Sequence, residues 1–354
     1  MRITQFPICP LLLLACFAIV MGVARADAKT PAATVGTPTR TSYTFSFTSL
    51  FYGAPVVQAR INETVTATFL IDTGASTNAI SQTLVDKLGL KPQITTQIIV
   101  PSLLEGNQST FVSLQKVVVG SLTLQGGAYI IMPAKTLAAG MRREVDGVIS
   151  IQMLRYFAID LDFSRHQMTL WYPNGLPDDA VKQAGFSNAF TVPLIPSVPD
   201  AILYDRKKAA ESVEAYWNLK YFVPVQVGDG IHISQSNLLL DTGSGVTIFP
   251  SEVSRSLKLK VQETIAVPNQ IFGSEQAGVV QASSLQIGSL HLADRTVGIL
   301  QARTTGEGSM SEMGTLGLDV LSGYRVLIDF GAKKMYFKPN IPQIRVGAPQ
   351  GKKP

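Results

Sequence analysis

Two aspartates, Asp72 and Asp241, each stand at the end of an apolar segment and directly before Thr-Gly. An apolar strand that runs into Asp-Thr-Gly holds its carboxylate rigidly at the strand end. Two carboxyls brought close together share one proton, because both cannot ionise cheaply at a short distance. The ionised member can then take a proton from a water molecule, while the protonated member hydrogen-bonds a carbonyl oxygen. The pair therefore predicts general acid/base chemistry on an amide bond, with no metal and no cofactor.

The surroundings of the two aspartates repeat along the chain, as expected for a duplicated domain. Asp72 and Asp241 are 169 positions apart. Further on, the Asp-Phe pairs at 162–163 and 329–330 are 167 positions apart, so the spacing drifts by only two residues. Each Asp-Thr-Gly is therefore predicted to be the same structural element in two similar lobes.

The residues that follow each aspartate fit the same chemistry. Gly74 and Gly243 are expected to let the chain turn sharply, which brings backbone N–H groups close to the carboxylate. Thr73 and Thr242 carry hydroxyls that are expected to tie the two loops together across a pseudo-twofold axis. The apolar lead-in segments remove water from the site, which keeps one carboxyl neutral.

The elements that must position these residues are mainly strands. Short β-branched and aromatic runs between turn residues predict first-lobe strands at 56–61, 65–71, 116–119, 129–132, 158–163 and 168–171. Residues 81–88 predict a helix with Ser81 as N-cap and Gly89 as C-cap, and Pro250 and Ser251 open the equivalent helix in the second lobe. The predicted fold class is all-β, with one short helix in each of two pseudo-symmetric lobes.

The N-terminal segment carries an export signal. A basic start is followed by an apolar run at 11–23 and by Ala-Arg-Ala ending at Ala26. That run is too short to span a bilayer, which takes about 20 residues, so residues 1–26 are predicted to be a cleaved signal peptide. The protein is then secreted or periplasmic; the alternative is a lipid anchor at Cys16. Because Cys9 and Cys16 both lie in this segment, the mature chain is predicted to hold no disulfide.

The repeat and the composition divide the whole chain. The predicted segments are a signal peptide 1–26, a flexible leader 27–42, a first lobe 43–175, a connector 176–215, a second lobe 216–341 and a tail 342–354. Within the connector, residues 205–216 have a helical composition. The formal net charge is +5 at pH 7, a mild and dispersed charge that gives no case for a nucleic-acid partner.

These features resemble the pepsin/retropepsin family of aspartic peptidases over roughly residues 50–340. In that family each lobe supplies an Asp-Thr-Gly and, later, an apolar-apolar-Gly segment that threads behind it. The matching segments here are 148–150 and 315–317. The resemblance implies a bilobal acid protease fold in which Asp72 and Asp241 form the catalytic dyad.

The same resemblance assigns the supporting roles and the activity. Thr73 and Thr242 would form the inter-lobe clasp, with Gly74, Gly243 and Ser244 as further supporting residues. The implied protein is an exported aspartic endopeptidase that acts on polypeptides as a two-lobed monomer, without stable membrane insertion. The alternative is an inactive peptide-binding or inhibitor-like relative. Retention of both aspartates favours the enzyme.

The chain departs from the family pattern around the dyad. Ser150 replaces the glycine expected in the first threading segment. Ala75 cannot hydrogen-bond its carboxylate through a side chain as Ser244 could, so the two aspartates are expected to have unequal surroundings.

The flap of this fold class has two candidate positions. The first, at about residues 95–112, lacks the tyrosine that pepsins use there but has Pro101, Gly106 and Asn107, which suit a hairpin tip. The second is the corresponding loop at 267–278 in the other lobe.

Other acidic and histidine residues give no competing site. Asp160 and Asp162 could suggest a metal pair, but their alternation on a strand favours solvent-facing acids. His166, His232 and His291 lack ligand spacing and are interpreted as structural.

Overall fold

A computed structural model describes most of the chain after residue 40. The described ranges are 41–50, 52–92, 94–96, 109–125, 127–138, 144–198, 219–269, 273–301 and 313–340. The predicted signal peptide, the tail and the helix predicted at 205–216 lie outside these ranges, as do nearly all of the leader and the 97–108 part of the first candidate flap. Among the helices in the described ranges, none has the length and apolar character needed to cross a bilayer.

The described part begins with strand β1 (Thr41–Ser46), which belongs to a sheet shared by the two lobes. The next ten strands and bridges form one twisted sheet of the first lobe: β2 (Thr48–Ser49), β3 (Pro55–Ile61), β4 (Val65–Asp72), β5 (Ala79–Ser81), β6 (Ile94–Thr96), β7 (Ser109–Ser113), β8 (Lys116–Val119), β9 (Leu122–Gln125), β10 (Ala128–Met132) and β11 (Gly147–Ser150). The order is β6-β7-β10-β5-β11-β4-β3-β8-β9, with β2 paired to β3. The first-lobe strands predicted from the sequence all form, within about one or two residues of their expected ends.

The predicted first-lobe helix is confirmed as α1 (Gln82–Lys87). Ser81 caps it, because its Oγ accepts a hydrogen bond from the backbone N–H of Leu84 at 3.1 Å. The helix ends at Leu88, and Gly89 follows with a φ of +62°. That left-handed conformation is the usual reason for a glycine just after a helix. Two further short helices in this lobe are α2 (Ala134–Ala138) and α3 (Ile151–Leu154).

The shared sheet has six strands and joins the lobes. After β1 its members are β12 (Ala158–Asp162), β13 (Gln167–Tyr172), β14 (Phe190–Pro193), β23 (Tyr324–Asp329) and β24 (Lys334–Pro339), in the order β1-β13-β12-β23-β24-β14. At its centre β12 and β23 run antiparallel, with Asp160 opposite Leu327. Each half of the sheet thus contains three strands in the same arrangement, which is the two-fold relation that the repeat predicts.

The second lobe repeats the first. Its eight-stranded sheet contains β15 (Ile195–Pro196), β16 (Tyr221–Gly228), β17 (Ile233–Leu240), β18 (Ile248–Phe249), β19 (Val261–Asn269), β20 (Gly273–Ile287), β21 (Leu290–Leu300) and β22 (Thr315–Leu316). The order is β15-β16-β17-β22-β18-β21-β20-β19, with β16 also paired to β20. The mainly-β, two-lobed fold class is therefore confirmed.

The helix expected to open at Pro250 and Ser251 begins later. The N–H groups of Val253 and Ser254 bond to the carbonyls of Pro250 and Ser251, three residues back, which makes a tighter turn than an α-helix. The α-helix proper, after α4 (Asp178–Gln183) earlier in the chain, is α5 (Val253–Ser256). A further short helix, α6 (Leu318–Leu321), follows β22.

The described part of the predicted connector, residues 176–198, supplies α4, β14 and β15. Val181 of α4 belongs to an apolar cluster with Phe186 and Leu327 on one face of the shared sheet. The proposed lobe boundaries stay predictions.

Asp160 and Asp162 correct one expectation. They are only 3% and 8% exposed, so neither is a solvent-facing acid. The alternation argument fails because all five residues of β12 are buried, on both faces of the strand. Asp160 instead receives two hydrogen bonds from the guanidinium of Arg325, at 2.9 and 2.5 Å, and this cation lies over the ring of Phe186. Burial raises the pKa of Asp160, and the Arg325 contact opposes that rise.

Candidate active site

Each Asp-Thr-Gly is held at a strand end by a second strand that runs parallel beside it. In the first lobe β11 pairs with β4, so that Ser150 stands opposite Asp72. In the second lobe β22 pairs with β17, and the N–H of Asp241 donates to the carbonyl of Leu316. The threading segments implied by the family resemblance thus lie where they were expected.

Close packing explains the glycine directly before each threading segment. A Cβ on Gly147 would lie 2.5 Å from the carbonyl oxygen of Ala79, and one on Gly314 would lie 2.3 Å from that of Ile248. These are backbone atoms, which cannot rotate away. A side chain at either position would push the supporting strand off the motif.

The two threonines form a symmetric set of hydrogen bonds between the lobes. The hydroxyl of Thr73 donates to the carbonyl of Leu240 at 2.9 Å and accepts from the N–H of Thr242 at 3.1 Å. The hydroxyl of Thr242 donates to the carbonyl of Ile71 at 2.7 Å and accepts from the N–H of Thr73 at 3.1 Å. Both threonines are buried. Four bonds therefore fix the two loops to one another at the bottom of the site, which is the clasp that the sequence predicted.

The two carboxyls face each other across the glycines. A Cβ built on Gly74 would lie 2.4 Å from Cγ of Asp241, and one on Gly243 would lie 2.6 Å from Oδ2 of Asp72. Neither glycine has a positive φ. The chain does bend at Gly74 and turn at Gly243, and their N–H groups reach the carboxylates as expected, but the turn itself does not require glycines. They are needed because each leaves room for the carboxyl of the other lobe.

The carboxyls have unequal hydrogen-bond partners. Asp72 Oδ1 accepts from the N–H groups of Gly74 and Ala75 at 2.8 and 2.9 Å, whereas Asp241 Oδ1 accepts from Gly243 alone, at 2.8 Å. The predicted inequality is present, but its predicted cause is not. The hydroxyl of Ser244 turns away from the dyad and donates to the carbonyl of Val246.

This inequality affects the pKa of each carboxyl. Burial raises the pKa of both carboxyls. The two N–H donors oppose that rise at Asp72, whereas the charge of Asp72 adds to it at Asp241. The carboxyls also hydrogen-bond each other in the sense that stabilises ionised Asp72 and protonated Asp241. These effects favour protonation of Asp241 over Asp72, and the two carboxyls titrate as a pair.

Ser150 occupies its place without displacing the motif. Its N–H and hydroxyl both donate to Oδ1 of Asn78, at 2.9 and 3.0 Å, and its Oγ caps α3 by accepting from the N–H of Gln152. At the equivalent Gly317, a Cβ would lie 2.4 Å from the carbonyl oxygen of Val246. The first lobe therefore accommodates a serine in place of the glycine through its contact with Asn78. In the second lobe a side chain at this position would clash with the backbone.

The structure adds two residues that sequence reasoning missed. Tyr52, just before β3, packs against Gly245, where a Cβ would lie 2.7 Å from that of the tyrosine. Burial, with a smaller contribution from the charges of the dyad, raises its pKa to about 12, so the phenol stays protonated. Lys220, just before β16, is 8% exposed and donates to the carbonyl of Gly74 at 3.4 Å. The signal in the sequence that could have indicated this residue was a lysine directly before an apolar strand.

The flap candidates remain predictions. Of the first, only its flanks in β6 and β7 are described, and these pair as a hairpin. Of the second, β19 and β20 form a long hairpin, while residues 270–272, including Phe272, lie outside the described ranges. Throughout the described ranges, no three His, Cys, Asp or Glu side chains are grouped as a metal site would require.

The fold and the site define a class: a two-lobed β-protein in which each lobe contributes one Asp-Thr-Gly to a common carboxyl pair. The sequence profile described as aspartyl protease matches residues 57–152 and 223–320, once in each lobe. The chain belongs to this aspartyl protease family. Its family assignment from the sequence is thereby confirmed.

Solved structures of related fold are distant. A retropepsin-like aspartic protease from Rickettsia conorii is 19% identical with a TM-score of 0.28, and the match covers 38% of this chain and 94% of that one. An aspartic proteinase from Irpex lacteus is 12% identical with a TM-score of 0.44, covering 85% and 98%. Conglutin gamma, a basic 7S globulin from lupine seeds, is 11% identical with a TM-score of 0.46, covering 85% and 96%. No curated protein sequence matches the chain significantly.

Proposed function

We propose that this protein is an exported aspartic endopeptidase, in which Asp72 and Asp241 activate a water molecule against a peptide bond. The observation that carries the proposal is the facing pair of carboxyls, one from each lobe, with space reserved for them by Gly74 and Gly243. Family membership supports peptides as the substrate class.

The unequal surroundings of the carboxyls support a different role for each, with Asp72 as the base and Asp241 as the acid. Ionised Asp72 takes a proton from water while the water oxygen bonds to the peptide carbonyl carbon, and Asp241 gives its proton to the carbonyl oxygen. The product is a neutral tetrahedral diol. The C–N bond then breaks as Asp72 returns its proton to the nitrogen and Asp241 takes one from a diol hydroxyl. Both carboxyls end as they began.

The test is digestion of an unfolded protein from acid to neutral pH by wild type, D72N and D241N. Asparagine keeps the shape of the carboxyl but cannot exchange the proton, so each change is expected to lower the rate by at least about 10²-fold. D86N is a matched control, because Asp86 is an exposed aspartate on α1 whose carboxylate bonds only to Gln82 in the described contacts. A statine-type inhibitor is expected to block wild type.

Two results would overturn the proposal. Near wild-type cleavage by either dyad variant would show that the carboxyls are not the reacting groups. A folded wild type that binds peptides but cleaves none across the pH range would establish the inactive relative instead.

Export is part of the proposal and has its own test. Expression with the native N-terminus is expected to release a mature protein that begins at Asp27, as read by N-terminal sequencing. A mature chain that begins at Cys16 and carries lipid would show the alternative anchor.

A further inference from the structure

Lys220 is held beside the dyad by its own backbone. Its N–H donates to Oγ of Ser197 at 2.9 Å, and its carbonyl accepts from the N–H of Ser197, also at 2.9 Å. Its side chain is buried, and its ammonium donates to the carbonyl of Gly74. Lysine is almost never buried without a partner of opposite charge, since an unpaired buried ammonium is costly.

The partner of this ammonium is the dyad. Gly74 carries the carbonyl that Lys220 binds, the N–H that Asp72 accepts, and the α-carbon that faces Asp241. Burial lowers the pKa of Lys220, and among the described residues the charges of Asp241 and Asp72 oppose that fall and favour the ammonium. Within the part of the chain that the structure describes, Tyr52 also faces the dyad, and it stays neutral. A singly protonated dyad carries one negative charge, which Lys220 balances.

We propose that Lys220 is a positioning residue whose positive charge sets the pH range over which the dyad carries a single proton. This inference rests on the proposed function, because that singly protonated state is the reactive one. Lys220 touches neither water nor peptide in this scheme; it acts through the two carboxyls.

The direction of the effect follows from the sign of the charge. A cation favours ionised carboxyls, so Lys220 lowers the pKa of both Asp72 and Asp241, against the rise caused by burial. Removing the charge is therefore expected to move both limbs of the pH profile to higher pH. At a separation of roughly 10 Å and an effective dielectric constant of about 20, one unit charge shifts the pKa of a carboxyl by about one unit.

The experiment compares kcat/KM against pH for wild type, K220M and K220R on an uncharged peptide. Methionine keeps the apolar stem without the charge, and its profile is expected to move up by about one pH unit. Arginine keeps the charge, and its profile is expected to stay within a few tenths of a unit of wild type. K260M, which removes an exposed lysine, is the matched control and is expected to leave the profile unchanged.

The outcomes separate this inference from the proposed function. If wild type cleaves and K220M keeps the wild-type profile, or K220R shifts as far as K220M, Lys220 does not act through its charge and the inference fails alone. If wild type cleaves nothing, the proposed function fails first. Statine-type inhibitor binding against pH gives the same comparison without turnover, and K220Q replaces K220M should the methionine variant not fold.

Discussion

The inter-lobe clasp can be broken one hydroxyl at a time without changing the volume of the core. Replacing Thr73 by valine keeps the shape of the side chain and removes the hydroxyl that bonds to Leu240 and Thr242. Replacing Thr242 removes the equivalent pair of bonds in the other direction. Because each hydroxyl makes one donor and one acceptor contact across the same interface, the two variants should lose similar stability.

The expected loss follows from two buried hydrogen bonds. Each contributes about 1 kcal/mol net, and a buried N–H or carbonyl left without its partner adds a desolvation cost of about 1–3 kcal/mol. Some relaxation recovers part of this, so T73V and T242V are each expected to lower the free energy of unfolding by about 2–4 kcal/mol. Cleavage should fall as well, since the clasp aligns the two aspartates.

Urea unfolding followed by circular dichroism measures this loss. T44V is the control, because Thr44 and Thr169 also bond through their hydroxyls at 2.9 Å but on the surface. An exposed bond of this kind should cost about 0.5 kcal/mol or less. If T73V or T242V costs no more than T44V, the clasp does not stabilise the inter-lobe contact and the reasoning is wrong.

Three further predictions concern buried charge and close packing. D241N removes a carboxyl whose pKa is raised by burial. Wild type has the associated stability below the unfolded-state pKa and loses it as the pH rises through the folded-state pKa, so the free energy of unfolding of D241N should increase relative to that of wild type with rising pH. A difference between the two that does not depend on pH in unfolding titrations would contradict this. R325M leaves Asp160 buried without the guanidinium that binds it, and is expected to lower the free energy of unfolding by about 3–5 kcal/mol at neutral pH and by less in acid, as measured by urea unfolding. An equal loss at both pH values would argue against the ion pair. G317A places a Cβ against the carbonyl of Val246 and is expected to lower stability by about 2 kcal/mol or more, whereas an unchanged melting temperature would show that the segment can shift freely.

The parts of the site that recur in both lobes were predictable from the sequence. Thr73 and Thr242 make equivalent hydrogen bonds on opposite sides of one pseudo-twofold axis. Because each directly follows its aspartate, the sequence alone predicted that they meet. Ser81 was predictable for a local reason, because a helix N-cap is decided within four residues.

The unpredicted parts depend on contacts that only one lobe makes. Lys220 has Phe51 as its equivalent in the repeat, so symmetry gave no hint of a charge there. Asp160 alternates with its neighbours like a surface residue, yet β12 is buried on both of its faces. The hydroxyl of Ser244 could bond to either a carboxyl or a backbone oxygen. Its rotamer, which the spacing in the sequence does not determine, places it on the carbonyl of Val246.

The register at the centre of the shared sheet has a consequence for how the two halves came to differ. Asp160 and Leu327 occupy matching places in the repeat and meet on the axis, while Arg325, which holds Asp160, matches Ala158 in the first half. A homodimer of first halves, joined through that strand, would set two copies of Asp160 against each other with no arginine to separate them. In this single chain the first half carries the acid and the second half carries its counterion. Neither half can therefore replace the other in this contact.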